Sequence, residues 1–351
     1  MSREDLYERW LALRASEKRL FAVDAATRLN VTECELVASA CGAAGSPAAV
    51  RLGVSDWSEL LLTLPKLGKV KTITRNPSAV IEIEGSYDRV EFFGLMGQSV
   101  GSIDLRIFLR VWRHAFYIKE ETARGISESL QFFDATGRAI HKLYVRPETN
   151  REVFSELIEK YRAADQTTTQ VVEHPTPPRA PLPDRDIDAE ELRKAWLAMS
   201  DTHEFFGLLQ RFNVTRTQAL RLGGSDLAYP VALDSLERVL ESSASSALPI
   251  MVFVGNPGII QIYSGPVGKL VPMDSWINIL DPAFNLHVRR DLIDSAWIVR
   301  KPTKDGNVTS LELYTAEGDQ IALLVGQRKP GQKENESWRN TLETLPRAGS
   351  A

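Results

Sequence analysis

Short runs of alternating or continuous apolar residues dominate the pattern along the chain. AVIEIEG (79–85), VEFFGLMG (90–97), HAFYIKE (114–120) and SLQFFDATG (129–137) read as strands, and so do PIMVFVGN (249–256), GIIQIYSG (258–265), SAWIVRK (295–301) and SLELYTAEG (310–318). Asp-Ala-Thr-Gly and Ala-Glu-Gly end two of these runs and read as hairpin turns. Helical spacing precedes the strands: DAEELRKAWLAM places Leu192, Trp196 and Met199 on one face. Thr32 with Glu35 and Thr215 with Gln218 have the spacing of capping boxes, and Asp201 with Glu204 reads as a further helix start. The pattern predicts an α+β fold in which small helices are followed by an antiparallel sheet.

The same pattern occurs twice. Asn30-Val31-Thr32 returns as Asn213-Val214-Thr215 at an offset of 183, and Asn76-Pro77 as Asn256-Pro257 at 180. Asp104-Leu105-Arg106 aligns with Asn285-Leu286-His287, Ala115-Phe116 with Ala296-Trp297, and Gly137 with Gly318, all at 181. Between the halves, 163–188 carries Pro175, Pro177, Pro178, Pro181 and Pro183 with almost no apolar periodicity. The expected organisation is an N-terminal repeat over 1–162, a proline-rich linker over 163–188 and a C-terminal repeat over 189–351.

Composition narrows the class. The 351 residues are 43% hydrophobic, with 42 Lys and Arg against 46 Asp and Glu, enough for a packed core in each half. No run approaches the ~20 apolar residues of a membrane span. The charged N-terminal stretch MSREDLYERW does not resemble a secretory signal, so the expected compartment is the cytoplasm. There the three Asn-x-Thr sequons are not glycosylation sites, and the first two are better explained by capping threonines. The only cysteines, Cys34 and Cys41, read as seven residues apart on one helix, ~10 Å and too far for a disulfide. A net charge of -4 disfavours non-specific nucleic-acid binding.

No phosphate-binding glycine loop, G-x-S-x-G, H-E-x-x-H or Cys-x-x-Cys occurs in the chain. Among five histidines, His174 falls in the proline-rich segment and reads as solvated. His203 reads as lying in the first turn of a helix, where the helix N-terminus favours the neutral ring that can ligate a metal. Gly207 follows four residues on, and a glycine inside a helix often marks a close approach to the backbone. With Phe205, Phe206 and Leu208 around it, this face suits a planar apolar cofactor with a central metal. The same residues also fit a histidine bonded to a nearby carboxylate at a helix start, with a glycine that merely eases packing.

THEFFGLLQRFNVTRTQALRL (202–222), DPAFNLHVR (281–289), RKPGQ (328–332) and, in the first repeat, SIDLRIFLRVWRHAFYI (102–118) resemble the HemS/ChuS/PhuS family of bacterial cytoplasmic haem-handling proteins, also called hemin-degrading factors. The resemblance spans about residues 8–340. It implies one haem per chain with His203 as the proximal iron ligand, Leu20 standing at the corresponding place in the first repeat. It further implies Arg106 as the distal arginine, the catalytic one if the protein is an enzyme, with Arg216, Lys301 and Arg328 on the propionates and Gly207 against the ring. His287 and His114 read as structural, His114 as a buried, hydrogen-bonded core residue. Leu323 and Val325 depart from the Gln and Tyr of the family pattern, which makes that strand more apolar, whereas Tyr144 holds the place of Val325 in the first repeat.

The resemblance implies a cytoplasmic protein that receives imported haem and passes it on for iron utilisation, with a haem oxygenase or a haem-uptake transporter as partner. The alternative is an enzyme that opens the porphyrin and releases iron; lacking a flavin or nicotinamide site in its sequence, it would draw on an external reductant. A DNA-binding reading of NVTECELVASACG is disfavoured, because Glu33 and Glu35 give that helix the wrong sign for a phosphate backbone.

Overall fold

A computed structural model describes residues 3–17, 20–176, 180–329 and 331–349. Pro177 and Pro178 of the proline-rich segment, and Pro330 of RKPGQ, lie outside the described residues. The chain forms two compact units. One comprises Met1–Arg75, Glu82–Thr176 and Gly255–Gln261, and the other Asn76–Ile81, Pro177–Val254 and Ile262–Ala351. The exchanged pieces contain the Asn-Pro pairs that align between the repeats.

In the first unit α1 (Arg3–Ser16), α2 (Ala22–Leu29) and α3 (Glu33–Ser39) lead into β1 (Ala48–Leu52). After α4 (Trp57–Leu61) come β2 (Gly68–Arg75), β3 (Ala79–Gly85), β4 (Arg89–Phe93), β5 (Met96–Val100), β6 (Asp104–Phe108), β7 (Trp112–Thr122), β8 (Gly125–Asp134) and β9 (Ala139–Thr149), then α5 (Arg151–Tyr161). β1, β7, β8, β9, β2 and β3 are neighbours in that order, and β4, β5 and β6 form a meander. The second unit repeats the plan with α6 (Ala189–Leu197), α7 (Glu204–Phe212), α8 (Arg216–Leu222), β10 (Ala228–Val231), α9 (Ser235–Ser246), β11 (Ile250–Asn256), β12 (Ile259–Gly265), β13 (Leu270–Met273), β14 (Trp276–Leu280), β15 (Phe284–Arg289), β16 (Ser295–Thr303), β17 (Gly306–Tyr314), β18 (Gln320–Gly326) and α10 (Glu336–Glu343). Its strand order, β10, β16, β17, β18, β11, β12, with the meander β13, β14, β15, matches the first strand for strand. Even register is kept: His114 pairs with Phe133 and Ala115 with Phe132, as Ser295 pairs with Tyr314 and Ala296 with Leu313. The α+β duplication expected from the sequence is present.

The Asn-Val-Thr pieces punctuate equivalent helices. Asn30 and Asn213 adopt left-handed conformations (φ 55° and 51°) that end α2 and α7, and two residues later Thr32 and Thr215 cap α3 and α8 through complete capping boxes. Several expectations need correction. Helix α7 begins at Glu204, so His203 stands just before it and not in its first turn. VEFFGLMG is no single strand, because Gly94 (φ 64°) turns the chain between β4 and β5. Cys41 lies beyond the end of α3, although both cysteines are buried and neither is in a disulfide. Helices α5, α9 and α10 are additional to the sequence reading, although Leu236, Val239, Leu240 and Ser243 of α9 have helical spacing and are buried.

Each unit has its own core. Trp10, Leu36, Phe116 and Phe133 anchor the first cluster, and Trp196, Phe205, Leu220 and Tyr314 the second. The first unit also encloses a polar chain. Thr74 Oγ1 donates to Gln261 Oε1 (2.7 Å) and so accepts from His141 Nδ1 (2.9 Å), while Tyr87 Oη donates to His141 Nε2 (2.8 Å). Burial lowers the His141 imidazole to about 3 and keeps it neutral. Thus His141 is the buried, hydrogen-bonded core histidine, whereas His114 is half-buried. Among the described residues no helix is long and apolar enough to cross a membrane.

Candidate functional site

The start of α7 is open to solvent on one side. Asp201 Oδ1 accepts the His203 backbone N–H (2.8 Å) and contacts Nδ1 of its ring (2.6 Å), while Ser200 Oγ donates to Glu204 Oε1 (2.8 Å). The His203 side chain is 83% exposed. His203, Phe206 and Gly207 are spaced to share one side of the helix. Phe206 is 66% exposed, and a Cβ built on Gly207 would meet no heavy atom within 4 Å. Gly207 therefore relieves no contact in the fold; it leaves bare backbone beside an exposed aromatic ring and an exposed imidazole. On the opposite side Phe205 and Leu208 are buried, which fixes the helix to the core.

Beneath Phe205 lies a charged cluster that the sequence reading missed. Glu312 of β17 is fully buried. Arg216, at the first position of α8, grips it twice, Nε to Oε2 at 2.8 Å and Nη2 to Oε1 at 2.9 Å. Lys301 Nζ of β16 donates to Oε1 (2.6 Å), as does Ser310 Oγ (2.9 Å); Tyr314 Oη and Gln320 Nε2 (3.2 Å) donate to Oε2. Strand alternation puts Ser310, Glu312 and Tyr314 on one face, and the capping box at Thr215 delivers Arg216 to it. The two cations hold the Glu312 carboxyl far below the ordinary carboxylate range. Burial, reinforced by Arg216, lowers Lys301 to about 8 despite its carboxylate partner. The Arg216 guanidinium and the Lys301 ammonium lie 5.1 Å and 4.9 Å from the centre of the Phe205 ring. A glutamate between apolar neighbours in SLELY was the available signal.

The structure thus brings Arg216 and Lys301 together against Phe205 but engages both on Glu312. Arg328 follows β18, where its Nη1 donates to the Gln332 carbonyl (3.1 Å). Leu323 and Val325 pair directly with Glu312 and Ser310, so the face beside the cluster is apolar there. Arg106 stands on β6 of the first unit, paired with Asp104 and donating to the Leu105 carbonyl (3.0 Å). Burial pushes the Asp104 carboxyl up, with Arg106 opposing. His287 Nδ1 lies 2.7 Å from Asn278 Oδ1.

The corresponding place in the first unit has the opposite polarity. Glu33, at the start of α3, stands where the second unit has Arg216, and it pairs with Lys142 of β9, which stands where the second unit has Leu323. Both are buried, and Leu20 packs against that unit's core. Among the described residues no group of three or more His, Cys, Asp and Glu side chains could hold a metal ion. The exposed histidine donor and the bare Gly207 backbone fit a haem, whose ring supplies the remaining iron ligands.

The chain is similar to known proteins over nearly its whole length. The family model described as "Haemin-degrading HemS.ChuX domain" matches residues 30–161 and again 213–345. The hemin transport protein HmuS of Yersinia pestis is 41% identical over 345 residues, 97% of each chain. Holo-PhuS, a heme-binding protein from Pseudomonas aeruginosa, superimposes with a TM-score of 0.94 at 44% identity, covering 99% of this chain and all of that one. The heme degrading enzyme ChuS of Escherichia coli O157:H7 gives 0.89 at 39% identity over 98% of this chain and all of that one. Matched by its family model in both halves and aligned with these relatives end to end, the chain belongs to the HemS/ChuS/PhuS family.

Proposed function

We propose that this protein binds one haem per chain, with His203 as axial ligand, and carries imported haem through the cytoplasm towards iron utilisation. The observation that carries the reading is the face of α7: an exposed imidazole, an exposed Phe206 and a glycine with nothing over it. Bound haem would supply the iron and the conjugated ring. The chain's own residues do the rest: His203 donates a lone pair, Gly207 lets the ring approach the backbone, and Arg328 meets a propionate, while Arg216 and Lys301 are committed to Glu312. Leu20 at the place of His203 in the first repeat favours a single site, because it offers no donor to iron. Similarity to proteins described as hemin transport and heme-binding supports carriage, with a haem oxygenase or a haem-uptake transporter as the partner class. Similarity to ChuS, described as a heme degrading enzyme, favours a second reading in which the porphyrin is opened at the expense of an external reductant.

Titration of ferric haem into wild type and His203→Ala tests the site. The variant should lose the axial signature and bind at least tenfold more weakly, while His174→Ala should behave as wild type. A wild-type Soret band and affinity in His203→Ala would overturn the assignment. Reductant and oxygen with catalase present then separate the two functions. Slow bleaching suppressed by catalase supports the carrier; a single open tetrapyrrole formed despite catalase, and lost in Arg106→Ala, supports the enzyme.

A further inference from the structure

We infer that Asp201 is the positioning residue of His203: its carboxylate takes the Nδ1 proton in a hydrogen bond, fixes the ring, and leaves Nε2 as the nitrogen offered to the haem iron. The inference rests on the reading of His203 as axial ligand. An ionised carboxylate has only acceptor sites, so at 2.6 Å from Asp201 Oδ1 the ring nitrogen Nδ1 must carry the hydrogen. Nε2 of the neutral ring is then the lone-pair donor.

The same oxygen accepts the His203 backbone N–H at 2.8 Å, so Asp201 ties side chain and main chain of one residue into a single small ring of hydrogen bonds. This matters because the imidazole is 83% exposed. Left alone, so exposed a side chain would sample several rotamers and both tautomers, and the tautomer protonated at Nε2 cannot ligate through that atom. A negative oxygen on the far side of the ring also makes the imidazole a stronger donor, the role that carboxylates commonly play behind metal-bound histidines.

Two substitutions separate orientation from charge. Asp201→Asn keeps an acceptor oxygen without the charge; Asp201→Ala removes both. Nitrogen NMR of the ligand-free protein should show His203 as the Nδ1–H tautomer in wild type and Asp201→Asn, and a mixture of tautomers in Asp201→Ala. Haemin affinity should fall ten- to a hundredfold in Asp201→Ala and less in Asp201→Asn. The iron–histidine stretching frequency of the ferrous complex should drop in both, because both lose the negative charge. A wild-type tautomer in Asp201→Ala, or an unchanged stretching frequency in both variants, would overturn the inference. His203→Ala, measured alongside, distinguishes the levels: if it retains wild-type ligation, the axial reading itself fails, whereas loss of ligation there with wild-type behaviour of both Asp201 variants refutes Asp201 alone.

Discussion

Replacing Glu312 by Gln removes one charge from a cluster in which the carboxylate is fully buried and accepts from two cations. Its Arg216 partner keeps 24% of its side-chain surface exposed and Lys301 only 6%. Gln preserves the volume, so the cost is electrostatic: two cations left without a counter-charge, one of them almost completely desolvated. Breaking a buried pair in this way typically costs about 3–5 kcal/mol. Lys301, already at about 8 with the carboxylate present, can escape part of this by losing its proton, which places the expectation at the lower end, about 3 kcal/mol. For a unit of this size that is roughly 6–12 °C in melting temperature. Thermal unfolding followed by circular dichroism at pH 7 measures it.

The sign against pH is also fixed. Because the folded-state pKa of Glu312 is depressed, its stabilisation is present above the unfolded carboxyl value near 4.5 and is lost as pH falls towards the folded value. The gap between wild type and Glu312→Gln should therefore be full at pH 7 and narrow below pH 4.5. Adding Lys301→Met to the variant should recover part of the loss, since an apolar residue needs no counter-charge. A melting temperature within 1 °C of wild type at pH 7, or no recovery on adding Lys301→Met, would refute the argument.

Three further outcomes follow from the geometry. Gly207→Ala should raise stability by about 0.5–1 kcal/mol, because the methyl meets nothing in the fold, and should weaken haem binding at least tenfold; urea unfolding and haem titration of the same sample check both, and an unaltered affinity would show that no ring approaches that backbone. His141→Gln should flatten the acid branch of stability. The folded imidazole stays neutral down to about 3 while the unfolded one protonates near 6.5, so this group costs wild type up to about 1.4 kcal/mol per pH unit across that window, and urea curves at pH 7 and 5 that shift equally in both proteins would contradict it. Arg328→Ala should raise the haem dissociation constant about tenfold and leave the Soret band unchanged in shape, since a propionate contact does not touch the iron; a changed spin state would place the residue elsewhere.

What the sequence determined by itself is what repeats or punctuates locally. The duplicated Asn-Val-Thr pieces, the capping boxes and the apolar runs fix helix starts and strands through neighbours only a few residues away; both boxes fell where expected, whereas VEFFGLMG split at Gly94 and α7 began at Glu204. His203 and Gly207 were legible from their four-residue spacing, but of the flanking residues read with them only Phe206 is exposed, Phe205 and Leu208 being buried. Tertiary structure decided the partners. Arg216, Lys301 and Glu312 come from a helix and two strands, and only the pairing of β16 with β17 and the packing of α8 against them brings three charges to one buried point. The resemblance assigned Arg216 and Lys301 to a ligand, since nothing local reveals a carboxylate 96 residues from the one and 11 from the other. His141 was invisible for the same reason: its neutrality comes from burial that no local pattern encodes, and its partners Thr74 and Tyr87 are distant in the chain. Hydrophobic spacing and capping act within one element, whereas the charge state of a buried group is set by whichever elements the fold stacks around it.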